Sequence, residues 1–207
     1  MKSCFKFALS IFLTVAFTDV QAQVEPGYII GLNLSSITLK TNNSTIHSES
    51  LTGIHFGGIF EIALNNNFSL RPGIILSAKG SNFKVDTVDL SLSPIYFEIP
   101  LLAACSFGSD AIKVSFFAGP FIACGIGGYK IESGGEMKNI NYGSGDDNDL
   151  KHFDAGFDFG AGVKIKGFMI SAQYEIGLAN ISPSTTIYTE MNNNVIGISI
   201  SSLFPEK

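Results

Sequence analysis

Arg71 is the only arginine in the chain. A period-two reading of its surroundings sends its side chain to the same face as Glu61, Glu98, Asp158 and Glu175 on other segments. Arginine presents a planar fork suited to carboxylates. The set can therefore act in one of two ways: as a fixed, self-neutralising charge network, or as a path for protons or small solutes. Asp146, Asp147 and Asp149, with Glu136 nearby, offer oxygen atoms of the kind Ca²⁺ takes. Their spacing fits no defined calcium loop, and the reading is a solvated, mobile loop. His47 and His152 fall in polar stretches while His55 shares the inward face, and no Ser or Cys stands at a recognisable catalytic distance from any of them. Gly125-Ile126-Gly127-Gly128 and the glycines from Gly156 to Gly162 lack the strand-loop-helix setting of a phosphate cradle. No catalytic, cofactor-binding or metal-ligating residue is expected.

The elements that would hold these side chains are strands. From Phe153 to Ile165 apolar Phe153, Ala155, Phe157, Phe159, Ala161, Val163 and Ile165 alternate with Asp154, Gly156, Asp158, Gly160, Gly162 and Lys164. The same alternation marks seven further segments, at about Gly27 to Leu39, Leu51 to Leu64, Phe68 to Lys79, Leu90 to Phe107, Ile112 to Ile131, Phe168 to Ile181 and Asn194 to Phe204. Pro94 and Pro100 predict a bulge or irregularity in the fourth. The connections alternate between short turns and polar stretches of about ten residues or more, the asymmetry of an outer-membrane barrel with short periplasmic turns and longer extracellular loops. The expected fold is all-β: an eight-stranded antiparallel up-and-down transmembrane barrel. A soluble barrel would place its apolar face indoors. Here the other face carries Glu61, Arg71, Lys79, Glu98, Lys113, Asp154, Asp158, Lys164, Gln173 and Glu175 among many glycines, so that face lines the bore and Phe60, Phe97 and Phe157 coat the outside.

The amino terminus reads as a cleaved signal over residues 1–22: Lys2 and Lys6, an apolar core from about Phe7 to Phe17, and small or β-branched residues at Val20-Gln21-Ala22. Residues 23–207 then form one barrel domain. Losing Lys2, Lys6 and Asp19 leaves 11 basic against 17 acidic side chains, a net charge of −6 that disfavours nucleic acid. Of three cysteines, Cys4 leaves with the signal; Cys105 and Cys124 lie at different distances from their shared turn and are expected as free thiols facing lipid.

Tyr96-Phe97-Glu98-Ile99-Pro100-Leu101-Leu102, the run Phe153 to Val163 and Gln173-Tyr174-Glu175-Ile176-Gly177-Leu178-Ala179-Asn180-Ile181 occur here in order. On these segments the chain resembles the small outer-membrane β-barrel proteins of Bacteroidetes, called porin-like or PorT-like. Phe204 looks like the terminal aromatic that barrel-assembly machinery recognises, although Pro205-Glu206-Lys207 follow it. The resemblance implies residence in the outer membrane of a Gram-negative bacterium, lipid and the assembly machinery as partners, and no settled activity. The expected role is non-catalytic: structural, surface-interaction or secretion-accessory work through loops near Lys40, Ser133 and Pro183, with a further envelope protein as partner. The alternatives are a small pore and a lipid-modifying barrel enzyme.

Overall fold

The computed structural model describes residues 24–41, 45–85, 88–109, 111–133, 135–183 and 190–204. Residues 1–22 and Pro205 to Lys207 lie outside them, as does part of the loop expected from Pro183 to Asn193. Eleven strands are found among the described residues: β1 (Val24–Lys40), β2 (Thr45–His47), β3 (Glu49–Ala63), β4 (Phe68–Ala78), β5 (Ser81–Val85), β6 (Val88–Gly108), β7 (Ile112–Glu132), β8 (Lys138–Asn139), β9 (Phe153–Ile165), β10 (Phe168–Gly177) and β11 (Glu190–Leu203). Eight of them are staves. β1 pairs with β3 on one side and β11 on the other, and the circuit runs through β3, β4, β6, β7, β9, β10 and β11 with every pair antiparallel. The sheet closes on itself as an eight-stranded up-and-down barrel.

Local chemistry explains the three short turns. Asn65 Oδ1 accepts from the backbone N–H of Asn67 and of Phe68, both at 2.9 Å, which closes the β3–β4 turn. Lys166 and Gly167 both take positive φ, 49° and 90°, as a two-residue hairpin between β9 and β10 requires. Between β6 and β7, Gly108 sits at φ 128°. The expected irregularity beside Pro94 is a register shift: Ile95 faces Gly127 and Tyr96 faces Gly125, so Ile126 is the extra residue of a bulge.

The long connections hold structure of their own. β5 pairs with β6 and β3, β2 with β1, and β8 with β7. β6 and β7 run 21 residues each, about twice what a tilted strand needs to cross hydrocarbon. They form a wall that rises past the membrane. β11 begins at Glu190, four residues before the sequence reading began it, and β10 ends at Gly177 instead of Ile181.

The exterior is apolar. Phe60, Phe97 and Phe157 are 40, 37 and 43 % exposed, with Ile30, Leu32, Ile198 and Ile200 open beside them. An apolar belt of that extent has no place in water. Tyr28, Phe60, Phe68, Phe107, Phe168 and Phe204 collect near the short-turn end, and Tyr28 lies 5.6 Å from Phe204 between ring centroids. This is an aromatic girdle of the kind found at a membrane interface.

Toward the long-loop end the alternation changes phase. On β1 the apolar side chains shift from outward Leu32 and Leu34 to buried Ile37 and Leu39. On β6 they shift from buried Leu92 to outward Ile95 and Phe97, and on β11 from buried Met191 to outward Ile196. Each shift marks the height at which the outside changes from hydrocarbon to water, because above it the apolar face is stable only indoors. The inward residues there form one cluster: Ile37, Leu39, Phe83, Leu92, Ile140, Leu150, Ile181 and Met191.

Candidate functional site: the bore and its two ends

The expected charge set is divided by depth into two groups. Near the short-turn end, Arg71 Nη2 donates to Glu61 Oε1 at 3.2 Å and to Ser115 Oγ at 3.3 Å, and Ser69 Oγ donates to the same carboxylate oxygen at 2.9 Å. Nearer the loops, Lys79 Nζ lies 2.9 Å from Glu98 Oε2 and 2.8 Å from Glu175 Oε2. Its ammonium also stands over the Phe121 ring, 4.7 Å from the centroid. Arg71 therefore pairs with Glu61, and the cation that meets Glu98 and Glu175 is Lys79. Asp158 lies between the groups, lining with Arg71 and Glu98 a cavity of about 40 Å³.

The upper group belongs to a wider polar layer. Asn193 Nδ2 donates to Asp154 Oδ2 at 2.8 Å and to the Tyr96 hydroxyl at 3.3 Å, and Asp154 Oδ1 accepts from the Ala155 N–H. Tyr96 is wholly buried. His55 sits 2.7 Å from Asn33 Oδ1 through Nδ1 and 2.8 Å from Ser199 Oγ through Nε2, while Asn33 Nδ2 donates to Ser77. Because the Asn33 oxygen can only accept, Nδ1 of His55 is the protonated nitrogen. Sequence reasoning put Lys79, Asp154 and His55 on the inner face but left them out of the charge set; Tyr96 and Asn193 were not singled out. Parity supplies the face, and only register supplies the depth.

In the loop that includes Ser133 to His152, Glu136, Asp146 and Asp147 are exposed, as expected of a solvated segment, yet the loop is anchored at several points. Ile140 and Leu150 enter the apolar cluster, and Tyr142 donates its hydroxyl to the Gly127 carbonyl at 2.9 Å while stacking on His152 at 5.1 Å. The absent side chain of Gly125 makes room, since a Cβ there would collide with the Tyr142 ring. His152 Nδ1 donates to the Gly125 carbonyl at 2.9 Å. Asp149 holds Lys130 at 2.6 Å through Oδ1 and accepts the Asn141 N–H through Oδ2. That hydrogen bond, above the membrane, raises the lysine pKa over its ordinary value. Among the described residues no group of three His, Cys, Asp or Glu side chains is placed to hold a metal ion.

Cys105 and Cys124 are free thiols on the outward face. His47 lies in exposed β2, its Nδ1 3.1 Å from the Thr38 hydroxyl.

The family model of the outer membrane protein beta-barrel domain matches residues 19–182. The chain belongs to that family. It is an integral protein of the outer membrane, with the three short turns in the periplasm and the packed loops outside. Among solved structures it is similar to Ail, the attachment invasion locus protein of Yersinia pestis, at 12 % identity and TM-score 0.47 over 88 % of this chain and 99 % of that one. Neisserial surface protein A aligns at 13 % identity and TM-score 0.44, covering 86 % and 97 %. The outer membrane enzyme PagL aligns at 13 % and 0.42, covering 82 % and 98 %. No curated protein matches the sequence.

Proposed function

We propose that this chain is a non-catalytic outer-membrane barrel whose bore is a structural plug and whose packed extracellular loops recognise an envelope or surface partner, in a structural, surface-interaction or secretion-accessory role. The observation that carries the reading is the loop platform. Phe83, Ile140, Leu150 and Ile181, from three connections, pack with Ile37, Leu39, Leu92 and Met191 of the strands. Recognition is a usual task for loops held on a rigid scaffold. Glu61, Arg71, Glu98, Asp158 and Glu175, joined by Lys79, serve in this reading to hold the staves together. Two features weigh against the small-pore alternative: eight strands leave an interior that side chains fill, and buried apolar side chains of strands and loops pack together toward the long-loop end. Against a lipid-modifying enzyme weighs the engagement of His152 with the Gly125 carbonyl and the Tyr142 ring.

Within the family, the segments Tyr96 to Leu102, Phe153 to Val163 and Gln173 to Ile181 support a place among the porin-like or PorT-like barrels of Bacteroidetes. Residues 1–22 are assigned to a cleaved signal and the mature barrel to the assembly machinery for insertion. The deciding experiment is capture from intact envelopes with a tagged protein, alongside a version in which residues 133–152 are shortened. A specific partner held by the first and lost by the second is the expected result. Equal capture by both would remove the loop from the function, and stepwise conductance in planar bilayers would restore the pore.

A further inference from the structure

On its outer side the wall has a step at the height where the surroundings turn from hydrocarbon to water. Strand β10 ends at Gly177, and the last rung of its ladder with β11 sets Ile176 opposite Asn194. The chain then leaves the ladder, with the Leu178 and Ala179 N–H groups both donating to the Ala155 carbonyl, while β11 and β1 continue side by side as far as Glu190 and Lys40. The step is a groove of about 240 Å³. Its lower lip is apolar, made by Ile176 and by Leu178, which is 67 % exposed. Its upper wall is polar. Above outward Leu34 and Ile196, β1 and β11 present three successive rungs: Ser36 opposite Asn194, Thr38 opposite Asn192, and Lys40 opposite Glu190. Asn194 Nδ2 donates to Thr38 Oγ1 at 3.0 Å, and Lys40 Nζ meets Glu190 Oε2 at 2.9 Å, so the two charges of these rungs cancel. What remains is hydroxyl and amide. An amide engaged through one N–H retains a second donor and its acceptor oxygen.

We propose that this groove is a binding site for an outer-leaflet lipid whose head group is a sugar. The two-part lining selects an amphiphile: an acyl chain lies against Ile176 and Leu178, and the head group meets Thr38, Asn192 and Asn194 just above. A free sugar would leave the apolar lip unused, and a bare hydrocarbon chain would cover amides without giving them hydrogen bonds, which costs free energy. A phosphate head would call for an unmatched cation, and Lys40 is held by Glu190. Neutral hydroxyls are the chemistry that matches amide and hydroxyl rungs. The assignment does not rest on the loop reading, because the groove lies on the outward face of β1, β10 and β11 and not on the loops that crown the barrel.

The test uses the full barrel in micelles of an uncharged polyoxyethylene detergent, which carries no sugar. Side-chain amide resonances of Asn192 and Asn194 in ¹⁵N-labelled protein are followed while a glucosyl diacylglycerol is titrated in, with diacylglycerol and phosphatidylethanolamine of the same acyl chains as controls. Saturable shifts at both asparagines are expected with the glycolipid and not with either control. Read at Asn192, affinity should fall roughly five- to tenfold in Asn194→Leu, which deletes a head-group contact, and by a similar factor in Leu178→Ser, which deletes a chain contact. Both side chains stand outside the bore and outside the apolar cluster, and the gel mobility of each variant checks that it has folded. An equal or larger response to either control, the lack of any saturable shift, or an unchanged affinity in either variant overturns the proposal. Should a variant fail to refold, the comparison of the three lipids on the unaltered protein decides alone.

Discussion

Replacing Lys79 by methionine keeps most of the side-chain volume and removes one charge, so its effect isolates electrostatics. The ammonium is fully enclosed and stands 2.8 and 2.9 Å from two carboxylates that are themselves 4 % exposed. At an effective dielectric constant of about 20, each such contact is worth roughly 6 kcal/mol of gross attraction. Most of that is offset by the cost of taking three charges out of water, and breaking a buried pair from one side typically costs about 3–5 kcal/mol. Lys79→Met should therefore lower the unfolding free energy by about 3–5 kcal/mol. Lys79→Met/Glu98→Gln/Glu175→Gln, which removes the two carboxylates that Lys79 pairs with directly, should recover more than half of the loss. The chain has no tryptophan, so urea unfolding in micelles is followed by far-ultraviolet circular dichroism and by the gel mobility of folded and unfolded barrel. A Lys79→Met midpoint within error of the parent, or a triple variant weaker than the single one, would refute the claim that Lys79 neutralises the upper bore.

Arg71→Ala should cost less, about 1–3 kcal/mol, because Glu61 keeps its hydrogen bond from Ser69 and lines a polar cavity at the short-turn end; the same titration measures it. Leu150→Ala empties a fully buried position in the apolar cluster and should weaken that cluster by roughly 2–5 kcal/mol. The expected readout is rapid proteolysis between residues 133 and 152, giving two pieces that stay together as a folded barrel until denatured. Asp149→Asn should loosen the same loop by removing the partner of Lys130, seen as faster amide exchange at Asn141. A lysine whose folded pKa is raised contributes fully below its unfolded value, near 10.5, and loses that contribution as pH climbs through the higher folded one. The parent loop should accordingly stay closed at neutral pH and open only in strong alkali.

The sequence made the wall legible and left the ends obscure, for physical reasons. Strand β9 matches its expected limits, Phe153 to Ile165, because one face meets hydrocarbon along its whole length and the alternation never changes phase. Ile37, Leu39 and Leu92 break phase with their own strands, and they do so where the surroundings turn aqueous. That break is a readable signal, and it would have foretold the apolar cluster. Ile140 and Leu150 gave no such sign, since each stands singly between polar neighbours, Asn139 and Asn141 for one and Asp149 and Lys151 for the other. The charge set failed differently. Alternation placed Arg71, Lys79, Glu98 and Glu175 on one face correctly, but which cation meets which carboxylate depends on the stagger between staves. Stagger is set by closure of the ring, and no single strand encodes it.

The cluster that crowns the barrel has a bearing on how the protein is made. Its members come from three separate connections as well as from the staves, and all of those segments must cross the bilayer before they can meet. While still in transit they hold no partner for Phe83, Leu150 or Ile181. Once across, they pack together as one apolar cluster. Drawing any of these connections back across the bilayer would first require its apolar side chains to leave that cluster.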